Sequence, residues 1–520
     1  MLTPVFSSLV LSAFATVLSA GEVFRFSSYY GSYMILQKAP AKSVVWGFGQ
    51  TGAKVVVSLS GSHLLEQTYI APVINGIWRT TLKPMEAGGP YTLTAYHSTT
   101  NSSIVLKDVL FGDIWLCSGQ SNMAFTVGQA SKFLLTSNVT VINATEELTM
   151  ASKFPDVRIF QAALEQSKKE LTDLAGVEVP WSKPTPGLLG GKDFSHFSAV
   201  CWLFGRYLYE KRKYPIGLVH SSWGGTPVEA WSSPRALQKC GLKSSVISEQ
   251  NTWSSSVLWN AMIHPLLNMT ITGAIWYQGE ANANYNRDKY NCTFPGMIDD
   301  WRMAFHEGSE GQTALDFPFG FVQLCTYKTK DPTDGFREIR WHQTADYGFV
   351  PNKRMKNTFM AVAVDVPDEK SPWGSIHPED KQDVAFRLVL GARAVAYGEK
   401  NVTFQGPFPT QAVLGNSYIT IVFNQDIKAS HEDGYFEICC SEDRKCETDD
   451  KWTPVAISSS GLNYIFLEIP PCPASITAVR YLWTDWPCKF KACPIYSYDG
   501  LLPAPPFILG VTNQRPTTVF

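Results

Sequence analysis

Asp113-Ile114-Trp115-Leu116-Cys117-Ser118-Gly119-Gln120-Ser121-Asn122-Met123 is the stretch on which the reading of this chain turns. Its first four residues are strand-like, and Ser121 follows Gly119 just beyond them. A serine placed past a buried strand, among small and polar neighbours, is how a nucleophile is presented at a sheet edge. The plainer reading is a helix N-cap, which Ser-Asn often supplies. A helix starting there would also turn backbone N–H groups toward an oxyanion. Two later stretches bear on the choice, Trp276-Tyr277-Gln278-Gly279-Glu280 and Ile376-His377-Pro378. Ser121, Gln278 and His377 then read as nucleophile, oxyanion donor and general base, a set suited to ester hydrolysis.

Outward from Ser121, residues 106–400 alternate apolar strand-like runs with helix-period segments. The runs are Ile114-Trp115-Leu116, Ile216-Gly217-Leu218-Val219, Gly273-Ala274-Ile275-Trp276-Tyr277, Phe319-Gly320-Phe321-Val322-Gln323-Leu324 and Met360-Ala361-Val362-Ala363-Val364. The clearest helices are 198–213 and 380–397. This predicts βαβ units around a parallel sheet, an α/β domain. Residues 130–195 are polar and read as a long surface excursion. Residues 21–105 alternate in period two, as in Lys54-Val55-Val56-Val57-Ser58-Leu59, and predict an N-terminal β-sandwich. From 401 to 520 short strands return with Pro, Gly and Cys, predicting a second β domain. With 520 residues, two or three domains are expected.

Residues 4–19 are apolar, small and uncharged, ending near Ser19-Ala20, and 1–20 read as a secretory signal peptide. No other segment reads as a membrane span. Six N-x-S/T triplets, at Asn101, Asn138, Asn143, Asn268, Asn291 and Asn401, are candidate glycosylation sites on that route. Of 11 cysteines, Cys439, Cys440, Cys446, Cys472, Cys488 and Cys493 crowd the C-terminal region and predict local disulfides there. The odd total leaves a thiol over, for which Cys117 is the candidate. C-x-x-C pairs and H-E-x-x-H are absent, so no metal is expected. A net charge of -2 without long basic runs makes nucleic acid and anionic membranes poor partners. The 16 Trp, 21 Tyr and 30 Phe could stack on sugars, though most are expected in cores.

Further strand ends carry chemistry-bearing residues. Trp223-Gly224-Gly225-Thr226-Pro227 follows Val219-His220-Ser221, and glycines there let a backbone N–H approach a ligand closely. Gly224 and Gly225 are therefore oxyanion candidates, against the alternative of a plain βα loop. Gln278-Gly279-Glu280 ends another strand, and in open parallel sheets sites form at the carboxyl ends. His377 follows the last predicted sheet strand. His264, in an apolar stretch, reads as a core residue, while His220 and His342 remain competitors.

Four motifs in order, Gly119-Gln120-Ser121-Asn122-Met123, Trp223-Gly224-Gly225-Thr226-Pro227-Val228-Glu229-Ala230-Trp231, Trp276-Tyr277-Gln278-Gly279-Glu280 and Ile376-His377-Pro378 with Lys381, make the chain resemble the sialate O-acetylesterase family. That family is a carbohydrate-esterase group related to SGNH hydrolases, and the likeness covers nearly the whole chain. It implies a flavodoxin-like SGNH-hydrolase domain flanked by N- and C-terminal β domains. It implies removal of O-acetyl groups from sialic acid, chiefly at position 9, without a cofactor, and a lysosomal or secreted location. SGNH hydrolases commonly place Asp three residues before the catalytic His, and here that position is Gly374. Asp365 and Asp368 are the nearby acids, and a backbone carbonyl of 373–376 is the alternative partner for His377. A sialic acid carboxylate calls for a basic clamp, for which Arg337 and Arg340 are candidates beside structural roles; Glu280 is a further substrate-binding candidate. The competing functions are an acetylesterase for another carbohydrate, a lipase-like esterase for long acyl chains, and a non-catalytic glycan-binding protein.

Overall fold

The computed structural model describes residues 23–130, 144–191, 193–243, 252–328, 335–442, 446, 448–472 and 474–512. The predicted signal segment and the sequons at Asn138 and Asn143 lie outside them. At the centre is a parallel sheet of six strands: β1 (Ser102–Gly119), β2 (Val157–Ala162), β3 (Ile216–Ser222), β4 (Gly273–Tyr277), β5 (Phe319–Gln323) and β6 (Thr358–Val362). Their spatial order is β2-β3-β1-β4-β5-β6, every neighbouring pair parallel. The chain reverses its direction of growth at β1, so β1 is flanked by β3 and β4. A crevice at the carboxyl ends of such a sheet opens at that switch point.

The sheet is buried on both faces, as continuous apolar strands require. On one side Trp115 packs edge-on against Phe204 of α2 (Ala199–Arg212) and against Phe359. On the other, Trp276 meets Trp231, together with Phe294 and Trp301 of α3 (Tyr290–Gly308). Both predicted helices are present, the second as α4 (Lys381–Val395), and α2 packs on α4. Ser198 caps α2, its Oγ accepting from Cys201 N, and Asp380 caps α4 in the same way.

Residues 23–101 form no helix and build antiparallel strands, with Ile35–Gln37 joining β1 in parallel. β1 itself starts in that antiparallel region, opposite Gly88–His97, and runs on into the parallel sheet. One apolar core accordingly extends from Phe26 to Ala392. The C-terminal region forms two four-stranded antiparallel sheets, over 409–468 and 436–510, with a core of their own that includes Val362 and Val364.

Three expectations change. Residues 130–195 are not wholly a surface excursion, because β2 lies within the parallel sheet and is buried throughout. Its Arg158 and Gln161 disguise it. Arg158 is buried because its guanidinium reaches Asp108 and the Tyr33 carbonyl. Cys117 is not free, since it is disulfide-bonded to Cys201 of α2, and the free thiol is the buried Cys325. The C-terminal cysteines do pair locally, as Cys439–Cys446, Cys440–Cys472 and Cys488–Cys493, and Cys240–Cys292 adds a fifth bridge. Asp365, offered as a partner for His377, instead holds the α4–C-terminal junction. Its carboxylate takes a fork from Arg387 at 2.6 and 2.9 Å and a bond from Tyr496.

The Arg387–Asp365 pair is nearly water-free, at 3% and 0% side-chain exposure. Arg387→Met would strand a buried carboxylate, and urea unfolding is expected to show a loss of about 3–5 kcal/mol.

Candidate active site

Ser121 opens the short helix α1 (Ser121–Ala124), directly past the end of β1. The turn depends on Gly119, which has φ +141° and whose Cβ, were one added, would lie 2.2 Å from the Tyr277 carbonyl oxygen. Gln120 N then donates to that same oxygen at 2.9 Å. The Gln120 side chain accepts from Ala281 N, tying this turn to the one after β4.

His377 lies between β6 and α4, in a turn closed by its own N–H on the Gly374 carbonyl. Its Nε2 is 2.7 Å from Ser121 Oγ and its Nδ1 is 2.8 Å from the Trp373 carbonyl oxygen. A carbonyl can only accept, so Nδ1 carries the hydrogen and Nε2 is the free base facing the serine hydroxyl. The partner of the imidazole is thus a backbone carbonyl. Asp368 is engaged elsewhere, accepting from Glu379 N. Phe125 stacks on the imidazole at 6.4 Å and Phe194 tilts against it at 5.5 Å. Burial among these rings holds the imidazolium form down, and the nearby Lys381 charge lowers the His377 pKa further.

Gly224 sits against Ser121, a Cβ built on it falling 3.3 Å from Ser121 Cβ. Gly225 adopts φ +71° and faces open space. Gln278 is brought to the same sheet edge, but its amide hydrogens donate to the Thr226 carbonyl and Asn282 Oδ1. Its Oε1 accepts from Tyr290, so this wholly buried side chain braces the Thr226 turn and is spent before any oxyanion forms. Glu280 reaches the site: Oε1 accepts from Asn122 at 2.5 Å, and Oε2 is buried without a hydrogen-bond partner among the described residues. Burial raises its pKa. Glu229 is likewise raised by burial, although Asn282 and Asn286 donate to it.

The proposed basic clamp is not in the site. Arg340 is fully buried, its guanidinium on the carbonyls of Leu324, Cys325, Thr484 and Asp485. Arg337 pairs with Glu338 and Asp449. His220, a competitor for the base, is buried on Ser222, and burial drives its pKa to about 3. His342 pairs with Asp346. Among the described residues no cluster of His, Cys, Asp or Glu could hold a metal ion. Sequence reasoning missed Phe125, and it met Asn122 and Lys381 only inside motifs. The signal for Lys381 was a lysine in the first turn of a helix, four residues after His377.

A serine hydroxyl on the free nitrogen of a histidine, at the switch point of a parallel sheet, is the apparatus of a serine hydrolase. Residues 111–370 match the family model for carbohydrate esterase, sialic acid-specific acetylesterase, and 410–511 match the sialate O-acetylesterase C-terminal domain. The sialate O-acetylesterase of Mus musculus is 48% identical, over 98% of this chain and 99% of its own length. That of Homo sapiens is 49% identical, over 96% and 95%. A carbohydrate acetylesterase from Xanthomonas citri aligns in three dimensions with TM-score 0.75 and 27% identity, over 93% of this chain and 99% of that one. The chain belongs to the sialate O-acetylesterase family.

A histidine that serves as general base acts only when neutral, so the lowered His377 pKa has a defined sign. The kcat/KM of the enzyme should fall on acidification through an apparent pKa below 6.5, the ordinary histidine value. A pH–rate profile with its acid limb above 6.5 would contradict this environment.

Proposed function

We propose that this chain removes O-acetyl groups from sialic acids, chiefly at position 9, by covalent acyl transfer at Ser121. The observation that carries the reading is the Ser121–His377 pair at 2.7 Å, with His377 Nδ1 on a carbonyl, in a chain about half identical to sialate O-acetylesterases. His377 takes the Ser121 proton as Oγ bonds the acetyl carbonyl carbon. The carbonyl oxygen becomes an oxyanion held by the Ser121 and Gly224 N–H groups. Collapse breaks the ester C–O bond, and His377 Nε2 gives its proton to the departing sugar oxygen. Water, deprotonated by His377, then attacks the acetyl-serine and releases acetate and Ser121. The residues supply base, nucleophile and oxyanion donors, so the cycle uses no cofactor. We further read the domain as a flavodoxin-like SGNH hydrolase, since β3-β1-β4-β5-β6 follow that strand order, flanked by β-sandwiches. An oxidising secretory location, lysosomal or extracellular, agrees with five disulfides. Among the described residues no helix is long and apolar enough to cross a membrane. Of the described sequons, Asn101 and Asn401 are exposed, while Asn291 Nδ2 donates to Asp346.

Acetate release from 9-O-acetylated sialic acid tests this. Ser121→Ala should lower kcat by about 10⁶ and His377→Ala by a comparable factor at matched folding. An active Ser121→Ala variant would overturn the mechanism. A wild type that ignores this substrate yet cleaves another acetylated sugar would overturn the substrate assignment alone.

A further inference from the structure

The two residues flanking His377 are tied to one pair of buried side chains. Asn122 Nδ2 donates to the Ile376 carbonyl at 2.8 Å, on the N-terminal side of the base. Lys381 Nζ donates to the Pro378 carbonyl at 2.6 Å, on its C-terminal side. Lys381 Nζ also donates to Asn122 Oδ1 at 2.7 Å, which closes a ring through 376–378, the first residue of α4 and the residue after the nucleophile. The remaining Asn122 donor capacity goes to Glu280 Oε1. Asn122 and Lys381 are 1% and 0% exposed. The ammonium lies 4.5 Å from the centroid of Phe125, the ring stacked on the imidazole. Both of these acceptors of the ammonium are neutral oxygens. Burying a cation on neutral acceptors is costly, and burial lowers the Lys381 pKa to about 8.

We propose that Asn122 and Lys381 are positioning residues for His377. Together with the Trp373 carbonyl they take over the orienting task that an acid performs in a triad. Neither side chain needs to touch the substrate. The Trp373 carbonyl sets the tautomer and the ring plane. Asn122 and Lys381 fix the backbone on which the ring is mounted, and Asn122, being the neighbour of Ser121, registers base against nucleophile. The inference rests on the reading of His377 as the general base. The charged and titratable groups that act on Lys381 are Cys325 after β5, Glu280 after β4, Asp380 at the start of α4 and Asp368 on the His377 loop. Lys381 is the one whose charge opposes protonation of the imidazole.

The test uses the full chain with 9-O-acetylated sialic acid and p-nitrophenyl acetate. Lys381→Met and Asn122→Ala should each lower kcat about tenfold to a hundredfold, with KM within about twofold, since small misplacement of a catalytic group has effects of that size. The double variant should lose little more than the worse single one, because the two act as a unit. Lys381→Met should also move the acid limb of kcat/KM to higher pH, and Lys381→Arg should return it. The limb reads the charge of Lys381 on the imidazole, whereas the loss of kcat at unchanged KM, recovered in Lys381→Arg, is what a lysine without a positioning role would not produce. Should Lys381→Met not fold, Lys381→Gln, which keeps a donor of similar volume without the charge, gives the same reading of the limb. Full kcat in the Lys381 and Asn122 variants, or a raised KM alone, would overturn the proposal while leaving an inactive His377→Ala to support the base. An active His377→Ala would instead overturn the reading beneath it.

Discussion

The close approach of β1 and β4 at Gly119 is the constraint on which the site depends. A side chain there would collide with the Tyr277 carbonyl, and no neighbouring rearrangement short of parting two core strands would relieve it. Because glycine allows the contact, Gln120 N can bond the same carbonyl and the chain can turn sharply into α1. Ser121 is thus presented by sheet geometry, on the strand about which the order reverses. Gly224 approaches it from β3, and the loop after β6 brings His377 over it. Three strand ends converge on one oxygen atom because a parallel sheet places all its carboxyl ends on one edge.

The partner of His377 distinguishes this site from a triad with a buried acid. A carboxylate behind the imidazole would stabilise the imidazolium and raise its pKa, whereas a carbonyl dipole fixes the tautomer with a weaker pull. Burial among Phe125, Phe194 and Trp373 then dominates and lowers the His377 pKa from its ordinary value. The ring of Asn122, Lys381 and the 376–378 backbone supplies by rigidity what the acid would supply by charge.

Where local pattern and global environment agreed, the sequence was legible. The run Gly273–Tyr277 is apolar throughout, and α2 and α4 have clear helical period, so each was placed within a residue or two. β2 was not legible, since Arg158 and Gln161 interrupt its apolar pattern and their burial depends on partners distant in sequence. Ser121, past a strand end, and His377, in a later loop, were singled out by residue type and place in the pattern, and their side chains meet at 2.7 Å. Gln278 misled for the same reason, because residue type says nothing of whether an amide is already spent on Thr226, Asn282 and Tyr290. Arg337 and Arg340 misled because a charge in a loop-rich stretch is read as free, while these two lie on backbone carbonyls and acidic partners.

The bridge between Cys117 and Cys201 ties the strand that leads into Ser121 to the helix packed behind it. It closes a loop of 84 residues, and in the chain-entropy account a loop of that size removes about 4–5 kcal/mol of freedom from the unfolded chain. That is a large share of a domain's net stability, typically about 5–15 kcal/mol. The oxidation state of the compartment in which this chain folds therefore enters its catalytic life. A copy made where thiols stay reduced would keep every residue of the site, yet hold Ser121 beyond a strand without its covalent anchor, and would unfold more readily.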